Sequence, residues 1–168
     1  MRAMSASESS PTDTDRFDRL EARVRALEDV NAIRNLKARY AELCDNSYDP
    51  DGLAALFTEH AVWESEALGN CNGREEIRAF FAAATELFSF AIHYSLNSQI
   101  EVDGDRATAQ WYLFMPCTRG SDSEALWRAA VENETYVRVD GRWMFERKQS
   151  RPLFSTTFAE GWSRVPHL

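Results

Sequence analysis

The sequence contains few cysteines and no long apolar run. Cys44, Cys71 and Cys117 are an odd number and form no C-x-x-C pair, which fits neither a disulfide framework nor a zinc ribbon. The simplest interpretation is a protein of a reducing cytoplasm. No apolar stretch approaches the ~20 residues that a membrane-spanning helix needs, and the polar N-terminus lacks the apolar core of a secretory leader. We therefore expect a soluble protein that is not exported.

Basic residues are in the minority. Lysine and arginine number 19 against 27 aspartates and glutamates, which gives a formal net charge of −8. Phosphate backbones and anionic lipid surfaces are bound mainly through cationic side chains. We therefore expect neither nucleic acid nor membrane as a partner.

Histidines are scarce, and the common catalytic motifs are missing. His60, His93 and His167 are too dispersed to show the spacing of metal ligands. The sequence has no G-x-x-x-x-G-K-[ST], G-x-G-x-x-G, G-x-S-x-G or H-E-x-x-H. We expect neither a metal nor an organic cofactor.

The length and the apolar content are those of one ordinary domain. A chain of 168 residues, 44% of them hydrophobic, is a globular composition, and a chain of this mass buries roughly 70% of its extended surface. Residues 1–14 offer almost nothing to bury, so we predict a flexible N-terminal tail there. Residues 15–168 are then a single domain.

Helical patterns come first along the chain, and strand patterns follow. Apolar residues recur every three or four positions over 15–45, which predicts a long amphipathic helix ended by the turn formers of 45–52. A short helix over 52–57, a short strand over 61–65 and a helix ending near 87 follow. Four stretches rich in β-branched and aromatic residues, separated by turn sequences, then predict antiparallel strands at 90–102, 106–118, 127–139 and 142–150.

Helices followed by a long antiparallel sheet indicate an α+β fold. We predict a cone-shaped curved antiparallel sheet with the N-terminal helices packed on its concave face, enclosing a pocket. Alternation along the strand at 90–102 places His93, Ser95 and Asn97 on one face, with Asn97 as a substrate-binding candidate. The opposite face carries an apolar row made of Ile92, Tyr94, Leu96, Ile100 and Val102. Since an exposed apolar row needs cover, we predict a homo-oligomer, a trimer or a dimer, joined through the sheet face.

His93 is the first candidate for catalysis, because it is the one histidine inside a predicted strand. A neutral imidazole in a pocket can remove a proton if a carboxylate stabilises the cation that forms. A buried histidine bonded to a backbone carbonyl is the structural alternative. The end of the long helix offers Tyr40, Asp45 and Tyr48. Tyr40 and Asp45 lie about 140° apart around a helix and reach one pocket only if the helix frays at Asp45. Their structural alternatives are a turn-forming aspartate and a core tyrosine.

Aromatic residues at strand spacing are candidates for an apolar ligand cavity or for plain core. They are Trp63, Tyr112, Phe114, Tyr136 and Trp143. After residue 150, Phe154, Phe158 and Trp162 recur at four-residue steps. This segment either folds back as a lid or packs against a neighbouring subunit.

Several short motifs follow one another along the chain. They are R-Y-A-x-x-x-D at 39–45, L-F-T at 56–58, A-V-W at 61–63, G-R-E-E-I at 73–77, H-Y-x-x-N at 93–97, V-D-G-D-x-A at 102–107 and T-Y-V-R-x-D-G-R-W at 135–143. In this order and spacing they resemble the SnoaL-like family of the nuclear transport factor 2-like superfamily. The resemblance spans residues 27–150 and implies the same helix-and-cone fold. That fold hosts isomerases, dehydratases, cyclases, dioxygenase small subunits and binding modules.

Within the family, the sequence is similar to the group of bile-acid 7α-dehydratase, scytalone dehydratase and lindane dehydrochlorinase. The resemblance implies a cofactor-independent elimination in which His93 is the base, Asp45 its partner and Tyr40 a donor to the departing oxygen. It also implies a catalytic basic residue on the last strand. We assign this role to Arg147, which alternation places on the face of Trp143 and Phe145, and Lys148 is the competing choice. The expected substrate is a hydrophobic cyclic hydroxy-ketone of steroid or polyketide type. A double-bond isomerase, a non-catalytic binding module and a dioxygenase-small-subunit-like module are the alternatives.

Overall fold

The computed structural model describes residues 12–164, so the first eleven residues and His167 lie outside the described part. The described residues form three helices and seven strands. In order they are α1 Asp13–Asp45, α2 Pro50–Ala54, β1 Phe57–Ser65, β2 Gly69–Asn72, α3 Arg74–Leu87, β3 Phe88–Ala91, β4 Tyr94–Asp103, β5 Arg106–Arg119, β6 Ala125–Val139 and β7 Arg142–Thr157. Within residues 12–164, none of the helices combines the length and the apolar character that crossing a membrane would require.

Helix α1 begins at a capping box. The Thr12 side chain accepts a hydrogen bond from the Asp15 backbone N–H, and the Asp15 side chain accepts one from the Thr12 backbone in return. Only the second half of the helix is packed, where buried residues such as Ile33, Lys37 and Tyr40 recur at helical spacing. The apolar residues of the first half are exposed: Phe17, Leu20, Val24 and Leu27. The helix starts two residues before the predicted position.

The sheet is mostly antiparallel and follows the order β2-β1-β7-β6-β5-β3, with β4 also paired to β5. The predicted hairpins β4–β5, β5–β6 and β6–β7 are present, whereas β1 and β7 pair in parallel. The helices and one side of the sheet share a single core, which includes Ile33, Leu53, Phe57, Ile77 and Phe145. The α+β fold with a strongly curved sheet and helices against its concave face is confirmed.

Several element boundaries differ from the prediction. Strand β2 was not expected, α2 ends before Phe57, and β1 begins at Phe57. Strand β7 continues to Thr157, so that Phe154 belongs to the sheet and not to a separate segment. Residues 92–93 interrupt the predicted strand at 90–102, so His93 lies in a break between β3 and β4.

A bulge in β4 changes which side chains share a face. The pairing with β5 shifts between Leu96 and Gln99, and Asn97 has a φ of +52°. Because an extra residue reverses the alternation, Tyr94 and Leu96 are exposed on the outside, whereas Ile100 packs against the core. The predicted apolar row therefore splits at the bulge, with Ile100 and Val102 facing inward.

Candidate active site

A cavity lies between the helices and the concave face of the sheet. Its walls are mainly apolar and aromatic, with contributions from Trp63, Phe80, Phe81, Leu113, Met115 and Phe154. The volume of the cavity is about 70 Å³. Polar groups at its surface include Tyr40, Tyr48, His93, Arg128 and Lys148.

His93 and Asp45 are in direct contact at the mouth of this cavity. Asp45 Oδ1 lies 2.7 Å from His93 Nδ1 and also accepts a 2.9 Å hydrogen bond from the His93 backbone N–H. The imidazole is 11% exposed and the carboxylate 32% exposed. Asp45 is the last residue of α1, which allows its side chain to turn toward the break between β3 and β4.

This contact determines which ring nitrogen is free. A carboxylate can only accept a hydrogen bond, so Nδ1 carries the hydrogen and Nε2 keeps its lone pair. The ring lines the cavity, while Asp45 lies behind it in a surface groove between α1 and β4. The arrangement is that of a base oriented by a carboxylate, and an imidazolium formed at His93 would be stabilised by Asp45.

Tyr40 is buried at the cavity wall. Its hydroxyl accepts a 3.2 Å hydrogen bond from Trp63 Nε1. Burial raises the pKa of the Tyr40 phenol well above its ordinary value, so the hydroxyl keeps its proton and is able to donate it in a hydrogen bond. Burial also raises the pKa of the adjacent Cys44 thiol to about 12, which removes it as a nucleophile near neutral pH.

Tyr48, which the sequence offered together with Tyr40 and Asp45, also lines the cavity. It is buried, its ring stacks on Phe81 and meets the His93 ring edge-on at 6.0 Å. Ser47 and Tyr48 both have positive φ angles, 60° and 54°, a conformation that costs roughly 1–2 kcal/mol for each such residue. The Tyr48 hydroxyl has no hydrogen-bond partner among residues 12–164.

Four buried charges form a closed cluster beneath the cavity. Lys37 Nζ lies 2.6 Å from Glu132 and 2.5 Å from Glu134. Lys148 pairs with Glu132 as well, and the Tyr136 hydroxyl donates to Glu134. With two lysines and two glutamates the cluster is formally neutral, which is the condition under which charges are tolerated in a core.

The ion pairs of the cluster favour the charged forms of Glu132 and Lys37. Burial by itself raises the pKa of Glu132, but Lys148 and Lys37 outweigh it and hold that pKa well below its ordinary range. Burial by itself lowers the pKa of Lys37, but Glu132 and Glu134 outweigh it and the pKa is raised. The lysine ammonium groups therefore carry compensated charge, and neither is a free cation in the cavity.

The basic residue of β7 that reaches the cavity is Lys148, and not Arg147. Arg147 is half exposed and makes a bidentate ion pair with Glu64 outside the cavity. The reason is a bulge in β7: Thr135 pairs with Arg147 and Tyr136 with Phe145, which leaves Glu146 as an extra residue. The bulge reverses the alternation that placed Arg147 on the face of Phe145.

Of the predicted substrate-binding residues, Trp63 lines the cavity and the others lie elsewhere. Tyr112 and Phe114 are on the outer face of β5, because its odd-numbered positions, including Leu113 and Met115, face inward. Asn97 is exposed at the β4 bulge. The remaining two are core residues outside the cavity wall: Tyr136 in the charge cluster, and Trp143, whose Nε1 donates to Asp29 at 3.1 Å.

The C-terminal aromatics are divided between the cavity and the outer surface. Phe154 is part of the cavity wall. Phe158 and Trp162 pack around Trp127, at ring distances of 5.6 and 6.1 Å, and neither lines the cavity. Within residues 12–164 they are therefore a surface cluster and form no lid.

A period-two pattern in β6 could have revealed the missed charges. Arg128, Glu132 and Glu134 are separated by even numbers of residues from the buried Tyr136, so alternation puts them on the inner face. No comparable pattern marks Tyr48, because its position depends on a turn. Over residues 12–164 no group of three or more histidine, cysteine, aspartate or glutamate side chains is arranged to hold a metal ion.

Fold and site together define a class of protein in which a long helix and a curved sheet enclose an apolar cavity with a histidine and an aspartate at its mouth. Residues 25–149 match the SnoaL-like domain family. The chain belongs to this family. No functionally curated protein matches the sequence significantly.

Solved structures share the fold at low sequence identity. A proposed aromatic ring hydroxylase from Novosphingobium aromaticivorans is 25% identical, with a TM-score of 0.72, over 80% of this chain and 96% of its own. A proposed scytalone dehydratase from the same organism is 22% identical, with a TM-score of 0.72, over 79% and 89%. The hexachlorocyclohexane dehydrochlorinase LinA-type3 from Novosphingobium barchaimii is 23% identical, with a TM-score of 0.70, over 90% and 97%.

Proposed function

We propose that this protein is a cofactor-independent lyase that removes water from a hydrophobic cyclic hydroxy-ketone, such as a steroid or a polyketide. The observation that carries the proposal is the contact of His93 Nδ1 with Asp45 at 2.7 Å, which leaves Nε2 free at an apolar cavity. The similarity to a proposed scytalone dehydratase and to a dehydrochlorinase supports the same reaction class, since both names denote eliminations.

The reaction begins with removal of a proton from the carbon next to the ketone. His93 Nε2 takes this proton, and Asp45 stabilises the imidazolium that results. The electrons of the C–H bond form the new C=C double bond, and the C–O bond breaks with its electrons going to the oxygen. Tyr40 donates a hydrogen bond to the departing oxygen, which takes the proton from His93 and leaves as water. The base is then restored without any co-reactant.

A double-bond isomerase is the runner-up, because it uses the same first step. His93 would return the proton to a different carbon of the substrate, and no group would leave. A binding module for a hydrophobic ligand, or one resembling a dioxygenase small subunit, would need the cavity but not the His93–Asp45 contact. The contact therefore favours a lyase or an isomerase over a non-catalytic binding module.

The test compares wild type with His93→Gln and Asp45→Asn on a panel of cyclic hydroxy-ketones. Elimination next to a ketone creates a conjugated enone, so the appearance of its ultraviolet absorbance measures the reaction, while product mass distinguishes loss of water from isomerisation. We expect each variant to lose roughly 10²- to 10⁴-fold in turnover with little change in melting temperature. His60→Gln, at an exposed histidine in β1, is the control and should keep full activity. If the His93 variant turns over substrate at the wild-type rate, the proposed mechanism is refuted.

Copies of the chain are proposed to associate through the outer face of the sheet. Tyr94, Leu96 and Tyr112 are exposed there, at 48%, 45% and 41%, and Leu96 lies opposite Tyr112 in the pairing of β4 with β5. Three large exposed side chains side by side are typical of a protein interface. The three cysteines are free and buried, which supports a reducing compartment such as the cytoplasm.

A further inference from the structure

Arg128 is a cationic side chain at the cavity for which the described part of the chain provides no counter-charge. It lies on the inner face of β6, opposite Met115 of β5, and lines the cavity. No carboxylate of residues 12–164 forms an ion pair with it, and burial lowers the pKa of its guanidinium from the ordinary value. The other cation at the cavity, Lys148, is neutralised by Glu132. Arg128 therefore carries the uncompensated positive charge of the cavity.

The surroundings of Arg128 favour a role in ligand binding over a structural role. Its guanidinium carbon lies 4.8 Å from the centre of the Phe88 ring, a cation–π contact that uses no N–H donor of the group. Phe88 is itself part of the cavity wall. A partly buried cation without a partner is costly to a folded protein, and an anionic ligand would remove that cost.

Tyr48 supplies a second unused donor in the same cavity. Its hydroxyl is buried and has no partner among the described residues, although buried hydroxyls are normally bonded. Burial raises the pKa of the Tyr48 phenol, and the positive charge of Arg128, which lines the same cavity, opposes that rise. A ligand oxygen would satisfy both groups.

We propose that Arg128 and Tyr48 form a subsite for an anionic oxygen group of the substrate, namely a carboxylate carried by an apolar ring. A planar guanidinium matches a carboxylate with two parallel hydrogen bonds, and the mainly apolar and aromatic cavity walls match the chemistry of a ring. This inference rests on the proposed function in one respect: the anionic ligand is taken to be the substrate that reacts in the same cavity. It narrows the substrate class from hydrophobic ring compounds to hydrophobic ring acids.

The test measures binding and does not require turnover. Calorimetry compares the acid and the primary amide of benzene, naphthalene and anthracene rings, which differ in charge but hardly in shape. At neutral pH we expect at least one acid to bind roughly 10- to 100-fold more tightly than its amide, the range for a hydrogen bond to a charged group. If no acid in the series binds more tightly than its amide, including the case in which none binds, the proposal is overturned.

Variants of Arg128 and Tyr48 test whether these two side chains cause the tighter binding of the acid. Arg128→Gln should abolish the preference for the acid without weakening amide binding, and Tyr48→Phe should reduce it roughly 2- to 10-fold. Tyr48→Phe removes a hydroxyl that bonds to nothing in residues 12–164, so it should fold normally. Arg151→Gln, at an exposed arginine of the neighbouring strand β7, is the control and should leave the preference unchanged. An unchanged preference in Arg128→Gln contradicts the proposal.

The elimination mechanism at His93 and the carboxylate subsite at Arg128 can be refuted independently of each other. His93→Gln should retain the preference for the acid while losing turnover. A preference that persists in an enzyme whose His93 variant is fully active would refute the elimination mechanism alone. Equal binding of acids and amides together with an inactive His93 variant would refute the subsite alone.

Discussion

Lys37 shows how strongly one buried side chain can control the stability of this protein. Replacing Lys37 with Met leaves Glu132 and Glu134 without the cation that lies 2.6 and 2.5 Å from them. Removal of one partner from a buried charge group typically costs about 3–5 kcal/mol, and we expect a loss of this size in the free energy of unfolding, measured with urea.

Arg39 provides the matched control on the same helix. It pairs with Glu42 at 2.7 Å, but both side chains are more than half exposed, and an exposed pair contributes about 0–1 kcal/mol. Arg39→Met should therefore change the free energy of unfolding by less than about 1 kcal/mol. An equal loss in the free energy of unfolding for Lys37→Met and Arg39→Met would contradict the buried charge cluster around Lys37.

At the scale of elements, helix α1 consists of two halves that differ in how they contact the rest of the protein. Its second half provides the core residue Ile33, the charge-cluster residue Lys37 and the site residues Tyr40 and Asp45. Its first half projects an apolar row that contacts no core. The helix therefore connects to the domain through about half of its length.

This division predicts unequal effects of truncating apolar side chains along α1. Ile33 is fully buried and Val24 is 52% exposed. Ile33→Ala should lower the free energy of unfolding by about 2–5 kcal/mol, and Val24→Ala by less than about 0.5 kcal/mol. Urea unfolding of the full chain measures both. A large loss in Val24→Ala would show that the first half is packed against another chain in solution.

At the scale of the whole molecule, the outer face of the sheet is the surface through which we propose that copies of the chain associate. Leu96→Lys places a charge in the middle of the exposed apolar group that includes Tyr94 and Tyr112. Because a buried charge without a partner opposes association, we expect this variant to elute from a sizing column later than wild type, toward the monomer.

Val139 is the control for that assembly prediction. It is 40% exposed at the far end of β6, away from the Leu96 surface group. Val139→Lys should elute with wild type. If Leu96→Lys also elutes with wild type while wild type is larger than a monomer, the interface lies on another face.

The periodicity of the sequence determined the order and the type of most elements. Helical spacing predicted α1 and α3, and turn sequences predicted the three hairpins, because both signals are local. The local pattern also singled out His93, Asp45 and Tyr40, which the fold brings to one cavity mouth. Their contact itself could not be read from spacing, since it joins residues 48 positions apart.

Tertiary structure alone decided which side chains line the cavity. The β4 and β7 bulges reverse alternation, so Asn97 and Arg147 lie outside and Lys148 lies inside. A bulge is imposed by the pairing of neighbouring strands and the curvature of the sheet, so the sequence of one strand alone does not predict it. The same holds for Tyr48 and Arg128, which line one cavity only because the fold brings the turn after α1 and the inner face of β6 together.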